Sequence, residues 1–234
     1  MGGIREMTER RLRVGVLLPS SDTGLEAELP LRLKDVATVH FARVRLDGVT
    51  AADLLGFIDR ARHQADSLLA VRPDVLVIGC TSGGFVHGVQ MEHRLMAQFQ
   101  DSFGGPVIST VQEAVVAARA LGRRVRLRTS YQDELTVLEA RYLEDSGLTV
   151  VGASGLGFTE DWRTAEAGLD VLMAAVSPPE EGDGADVTLL SCTNFRTLGL
   201  QASLEEAAGV PVVTSCQAVE LGVRDFLRSS GRRS

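Results

Sequence analysis

Val75-Leu-Val-Ile-Gly-Cys-Thr-Ser-Gly-Gly84 has an echo further along the chain, Val187-Thr-Leu-Leu-Ser-Cys-Thr-Asn-Phe195. In each, a run of apolar or β-branched residues goes on without alternation and breaks at a Cys-Thr pair. Such runs fit interior strands of a parallel sheet, covered on both faces, better than surface strands that alternate. Cys80 and Cys192 then stand where their strands leave the sheet. Open parallel sheets bind ligands beyond the carboxyl ends of their strands, where turns and helix starts offer free backbone N–H groups. Ser82-Gly83-Gly84 lets the backbone approach a ligand, and Thr81, Ser82, Thr193 and Asn194 supply hydroxyl and amide groups. The plainer alternative is a pair of buried cysteines acting as small hydrophobes. Two occurrences of one arrangement weigh against it.

Outward from these stretches, strand and helix alternate. Leu12 to Leu18 reads as a first strand stopped by Pro19, and the loop 20–24 opens a helix, with Asp22 as a candidate cap. Val36 to Val44 is a second strand. Thr50 caps a single helix whose Leu54, Leu55, Ile58, Ala61, Ala65, Leu68 and Leu69 recur at three- and four-residue steps before Pro73. Glu92 to Gln100 is a helix, Pro106 to Thr110 a fourth strand, and Val111 to Leu121 a helix closed by Gly122. The second half repeats the pattern: a strand from Arg124, a helix 135–143, a strand 149–152, a helix 164–175, an acidic loop 177–186 expected to be exposed and mobile, the Cys192 strand, and a strand from Pro211.

The repetition is also one of sequence. Arg124-Val-Arg-Leu-Arg-Thr-Ser-Tyr-Gln-Asp133 matches Arg13-Val-Gly-Val-Leu-Leu-Pro-Ser-Ser-Asp22 at an offset of 111 residues, Cys192 follows Cys80 by 112, and the strand at Pro211 follows that at Pro106 by 105. A duplicated half of roughly 110 residues predicts an α/β fold of two pseudo-symmetric lobes with short parallel sheets. The expected boundaries of the two lobes are 1–112 and 113–217, with 218–234 following them. A pseudo-two-fold axis brings equivalent strand ends together, so Cys80 and Cys192 are expected to face one another across a cleft, with Tyr131, at the end of the second half's first strand, pointing into it or packing in the core. Cys216 occupies the repeat position of Val111 and is expected to be core. Arg126 and Arg128 are out of character in a buried strand; an edge, a subunit contact and an anion site all remain open.

Composition narrows the class. A 234-residue chain with 44% hydrophobic residues holds an ample core, and a net charge of −7 with no basic run argues against nucleic-acid or anionic-membrane partners. No apolar stretch approaches a membrane span of ~20 residues, and the first thirteen residues have no signal-peptide core, so a cytoplasmic protein is expected. Three cysteines without a CxxC pair suit a reducing compartment, and neither they nor His87 and His93, six apart, make a metal site.

The chain resembles the aspartate/glutamate racemase superfamily, within it the branch of maleate cis-trans isomerases and arylmalonate decarboxylases. The resemblance rests on Pro19-Ser-Ser-Asp-Thr23, Gly79-Cys-Thr-Ser-Gly83, Tyr131-Gln-Asp-Glu134 and Ser191-Cys-Thr-Asn-Phe-Arg-Thr197, and runs from Arg13 to about Phe226. It implies flavodoxin-like lobes, a C-terminal helix crossing back to the first lobe, no metal and no organic cofactor. It also implies that Cys80 attacks an alkene carbon, that the resulting single bond rotates, and that Cys192 handles a proton. Decarboxylases of the branch keep only the second cysteine, so two favour an isomerase or racemase. The isomerase motif carries Asn where this chain has Asp22, and that Asn binds a substrate carboxylate; the stretch 157–164 lacks the family's second Asn and offers Asp161 and Trp162.

The leading expectation is a cofactor-independent isomerase or racemase of a small carboxylate, assembled as a homodimer or homotetramer. Its catalytic residues are Cys80 and Cys192, and its binding residues Asp22, Thr81, Ser82, Tyr131, Thr193 and Asn194. A decarboxylase or lyase using Cys192 alone, and a non-catalytic binder of the same fold, are the alternatives. As nucleophile, Cys80 needs its pKa lowered from near 8.5 by donors in the Ser82 to Gly84 turn, while Cys192 stays protonated.

Overall fold

A computed structural model describes residues 11–179 and 182–230 of the 234. The expected polar start and the last four residues of the expected crossing helix lie outside them. The first sheet takes β1 (Leu12–Pro19), β2 (Ala37–Val44), β3 (Val75–Ile78) and β4 (Val107–Ser109); the second takes β5 (Arg124–Thr129), β6 (Thr149–Gly155), β7 (Val187–Ser191) and β8 (Val212–Thr214). Strand orders are β2-β1-β3-β4 and β6-β5-β7-β8, all parallel, so the sequence repeat is a repeat of topology.

Both faces of the first sheet are covered. Val75 and Val77 pack with Val14, Val16, Leu25 and Leu29, whereas Leu76 and Ile78 pack in a separate cluster with Phe57, Ala61 and Phe85. Alternate residues of one strand thus enter different cores, and the strand has no polar face to alternate with. Helix α1 (Gly24–Arg32) and α11 (Ser215–Ser229) cover the first face: Val219 and Val223 of α11 sit in the cluster of Val14 and Val77, and Cys216 is buried there too. The other cluster is continuous from Phe57 and Leu76 to Leu189 and Phe195, spanning both sheets.

Several local expectations are corrected. The helix after Thr50 is two helices, α2 (Ala51–Leu55) and α3 (Phe57–Leu69), parted at Gly56; Leu55 and Leu69, placed on its apolar stripe, are exposed. Thr50 caps the first through a reciprocal box with Asp53. The Ser82 to Gly84 turn is a one-turn helix, α4 (Thr81–Phe85), and the next helix, α5 (Val89–Phe103), is longer than expected; α6 (Thr110–Leu121) and α7 (Asp133–Asp145) follow the strands that precede them. The helix expected over 164–175 is two pieces, α8 (Asp161–Thr164) and α9 (Leu169–Val176), before α10 (Gln201–Ala208).

Arg126 lies in β5, between β6 and β7, and is 2% exposed, so it marks neither an edge nor an open anion site. Its guanidinium donates to Asp183 Oδ2 at 2.6 Å and Oδ1 at 2.7 Å, to Thr188 Oγ1 at 3.0 Å, and to the carbonyls of Val176 and Ala208. The acidic loop expected to be mobile is therefore tethered at Asp183, whose carboxyl the Arg126 hydrogen bond pulls down to about 2. Arg128 donates to the Ala175 carbonyl at the end of α9 and to that of Leu127.

Candidate active site

The two strand ends meet. Gly79 follows β3 and Thr193 follows Cys192, and the Thr193 hydroxyl donates to the Gly79 carbonyl at 3.5 Å. Thr81 donates to Ser215 Oγ at 3.0 Å, and the Phe85 and Tyr131 rings stand edge to face at 5.7 Å. Cys80 is the N-cap of α4: its Sγ accepts the Gly83 N–H at 3.3 Å and lies 3.6 Å from Ser82 Oγ. A Cβ on Gly83 would stand 2.7 Å from the Phe57 ring and 3.2 Å from that sulfur, so glycine is what allows the cap to close.

The electrostatics correct the expectation for Cys80. The two donors are in place, yet burial pushes the thiol up to about 12, and Asp161 and Asp22 add to the rise. Burial and the same two carboxyls raise Cys192, against hydrogen bonds from the Ser130 side chain and the Asn194 backbone. Both resting thiols are protonated. Tyr131, also buried, is raised by desolvation and then by Cys192, Glu139 and Cys80, which puts its phenol within the field of both sulfurs; the Ser82 hydroxyl opposes the rise.

Of the other expected residues, Thr81, Ser82 and Thr193 are buried around the sulfurs. Asp22 is fully buried, with Oδ1 accepting the Leu25 N–H at 2.9 Å, so its role as a helix cap is real. Asn194 has its side chain engaged within the fold. Its Oδ1 accepts the N–H groups of Thr23 and Gly24, both at 2.9 Å, and its Nδ2 donates to the Asp161 carbonyl at 2.7 Å. That side chain ties the start of α1 to α8, and what it leaves for a ligand at the sulfurs is the backbone N–H.

Three groups escaped the sequence reading. Ser21 donates to Asp161 Oδ2 at 2.5 Å, and Ser130 reaches Cys192. Glu139, wholly buried in α7, accepts from Ser191 Oγ at 2.5 Å beside Cys192, and burial lifts its carboxyl to about 8. A signal for Glu139 existed: it follows Glu28 by the 111 residues that separate the first strands of the halves. Among the described residues, no group of three His, Cys, Asp or Glu side chains is placed to hold a metal ion, and no helix is long and apolar enough to cross a membrane.

Residues 14–232 match the family model described as arylmalonate decarboxylase. The chain belongs to this family. The chain is similar to the maleate isomerase of Pseudomonas putida, 27% identical over 228 residues, covering 88% of each chain. The arylmalonate decarboxylase of Bordetella bronchiseptica is 29% identical over 217 residues, covering 92% of this chain and 86% of its own. In fold the chain is similar to the maleate cis-trans isomerase of Nocardia farcinica, solved with a covalently bound succinylcysteine intermediate, at a TM-score of 0.85 and 24% identity over 95% of this chain and 94% of that one.

Proposed function

We propose that this member of the family is a cofactor-independent isomerase that turns a small unsaturated carboxylate about its double bond through Cys80 and Cys192. The observation that carries the reading is the pair of buried thiols at equivalent strand ends, one capped by the Gly83 N–H and the other beside Ser130 and the Asn194 N–H. Cys80, as thiolate, adds its sulfur to one alkene carbon while the Cys192 thiol gives its proton to the next. The former double bond is then single and rotates. Return of the proton to Cys192, as the C–S bond breaks, frees the trans alkene and restores both groups. Once Cys80 has given its thiol proton to solvent, the cycle needs no electron or further group from outside, and two similar acids on opposite faces of the substrate suit it.

The relatives named maleate isomerase and the succinylcysteine seen in one of them support the reaction class. Decarboxylation by Cys192 alone leaves Cys80 and its cap without a purpose. Three free thiols fit a reducing cytoplasm. In the resting structure Cys80 is 4% and Cys192 5% exposed. Addition requires the Cys80 proton to leave against a raised pKa.

The test is rapid quench of the protein with a cis-unsaturated carboxylate followed by peptide mass analysis. The expected result is a mass increase equal to that of the substrate on the Cys80 peptide, larger in Cys192→Ser. Stoichiometric exchange of a substrate α-hydrogen with heavy water, with no adduct on either cysteine, overturns it in favour of proton abstraction.

A further inference from the structure

Besides Glu139 on the Ser191 side, two carboxyl groups lie beside the thiols that addition of sulfur to an alkene does not use. Asp22 spends Oδ1 on capping α1, while its Oδ2 is buried with no hydrogen-bond partner. The Thr193 hydroxyl is near enough to favour the Asp22 anion, and it also lies 3.5 Å from the Gly79 carbonyl, so one rotatable hydrogen serves both acceptors. Asp161 stands close by, held at Oδ2 by Ser21, and its charge reaches Asp22 and both sulfurs. The field of Asp22 also reaches Cys216. Arg43 does not answer this charge: its guanidinium goes to the Asp22 carbonyl at 3.1 Å and to the Glu26 carboxylate. A cavity of about 230 Å³ opens at Asp161 and Ser21, lined further by Asp47, Thr159, Glu160 and Trp162.

A fully buried acceptor beside a second, partly buried carboxyl is a poor seat for a carboxylate. Two anions in a desolvated site repel, and one of them must take up a proton. A further negative charge would also raise the two thiols, whereas a donor laid against Asp22 offsets the smaller, electrostatic part of a rise at Cys80 that is mainly due to burial. An amide or ammonium supplies that donor, and Oδ2 is an acceptor waiting for it.

We propose that the Asp22–Asp161 end of the site binds a hydrogen-bond donor of the substrate, so that the natural substrate is an unsaturated carboxylate carrying a carboxamide or ammonium group and not a symmetric dicarboxylate. This rests on the isomerase reading for the double bond, and on Asp22 and its surroundings for the donor. The cavity beyond Ser21 and Asp161 gives room for a substituent on that group.

Binding of the saturated, unreactive pair succinamate and succinate separates the two claims, because it needs no turnover. Dissociation constants are measured by calorimetry for wild type and Asp22→Asn from pH 5.5 to 8.5. Asn keeps an oxygen for the helix cap. Wild type is expected to bind succinamate at least about ten-fold more tightly than succinate at pH 7.5, with the preference lost or inverted in Asp22→Asn. Succinamate affinity in wild type is expected to rise with pH as Asp22 ionises around 7. The same preference in both proteins, or no binding of either ligand, overturns the proposal. So does a wild type that prefers succinate with an affinity falling as pH rises, the mark of a protonated Asp22 donating to a carboxylate. Should Asp22→Asn fail to fold, the wild-type pH series decides alone. Absence of a Cys80 adduct would remove the isomerase reading and leave this result standing.

Discussion

Three thiols of similar burial do different things because their neighbours differ. Cys80 and Cys192 each receive hydrogen bonds that favour the anion, from Gly83 and Ser82 in one case and from Ser130 and Asn194 in the other. Cys216 instead acts as a donor, its Sγ 3.1 Å from the Thr193 carbonyl. Cys80→Ser and Cys192→Ser are therefore expected to lower kcat by at least about a thousand-fold, since a hydroxyl is a far weaker nucleophile and acid than a thiol. Cys216→Ser keeps a donor for the same carbonyl and is expected to stay within a few-fold of wild type. Steady-state rates of the three variants check this, and full activity in Cys192→Ser would dismiss the two-thiol mechanism.

At the level of elements, side-chain hydrogen bonds to backbone hold the parts of the site together. Asn194 joins the start of α1 to α8 with three hydrogen bonds to backbone, all of them buried or partly so. Asn194→Ala strands two N–H groups and a carbonyl, a loss of about 2 to 4 kcal/mol by denaturant unfolding. Its kcat should fall as well, because Asp161 and the cap of α1 lose their common anchor. The ion pair of Arg126 with Asp183 has the same character further from the sulfurs. Asp183→Ala leaves a buried guanidinium with its carbonyl and hydroxyl partners but no counter-ion, which is expected to cost about 3 kcal/mol or more and to free the loop around residue 183 to protease. Uncut loop and unchanged stability in that variant would mean that the carbonyls and Thr188 hold Arg126 unaided.

For the molecule as a whole, the buried carboxyls set the response to pH. Asp22 is lifted from 3.8 to about 7 and Glu139 from 4.5 to about 8, both mainly by burial. Between about pH 4 and 8 the folded chain holds protons there that the unfolded chain has lost. Stability from these two groups is thus complete below about pH 4 and drains away as pH rises through 7 to 8, by on the order of a few kcal/mol for each group. Asp183 works in the opposite sense, its contribution present above about pH 4 and lost as pH falls towards 2. The expected thermal profile therefore peaks on the acid side of neutrality, and Glu139→Gln should flatten its fall between pH 6 and 8.5. A Tm that rises from pH 5.5 to 8.5 in wild type would show that neither carboxyl holds its proton.

Two features of the chain were legible in its sequence alone: the sheets, because a strand covered on both faces reads as an unbroken apolar run, and the duplication, because copies of one pattern stand at nearly one offset. Cys80 and Cys192 followed from both, as did Tyr131 at the end of β5. Local rules misjudged what distant contacts decide. Gly56 parts two helices whose residues share one periodicity, and Arg126 sits in a buried strand because Asp183, 57 positions away, turns back to meet it. Asn194 carries an amide suited to a ligand, but the backbone of Thr23, Gly24 and Asp161 arrives first. The resting state of Cys80 belongs to the same class: its donors are neighbours in sequence, whereas the burial and the two carboxyls that overrule them are brought by the fold. A sequence displays the groups a residue carries and its near neighbours; desolvation and long-range charge exist only once the chain has closed over them.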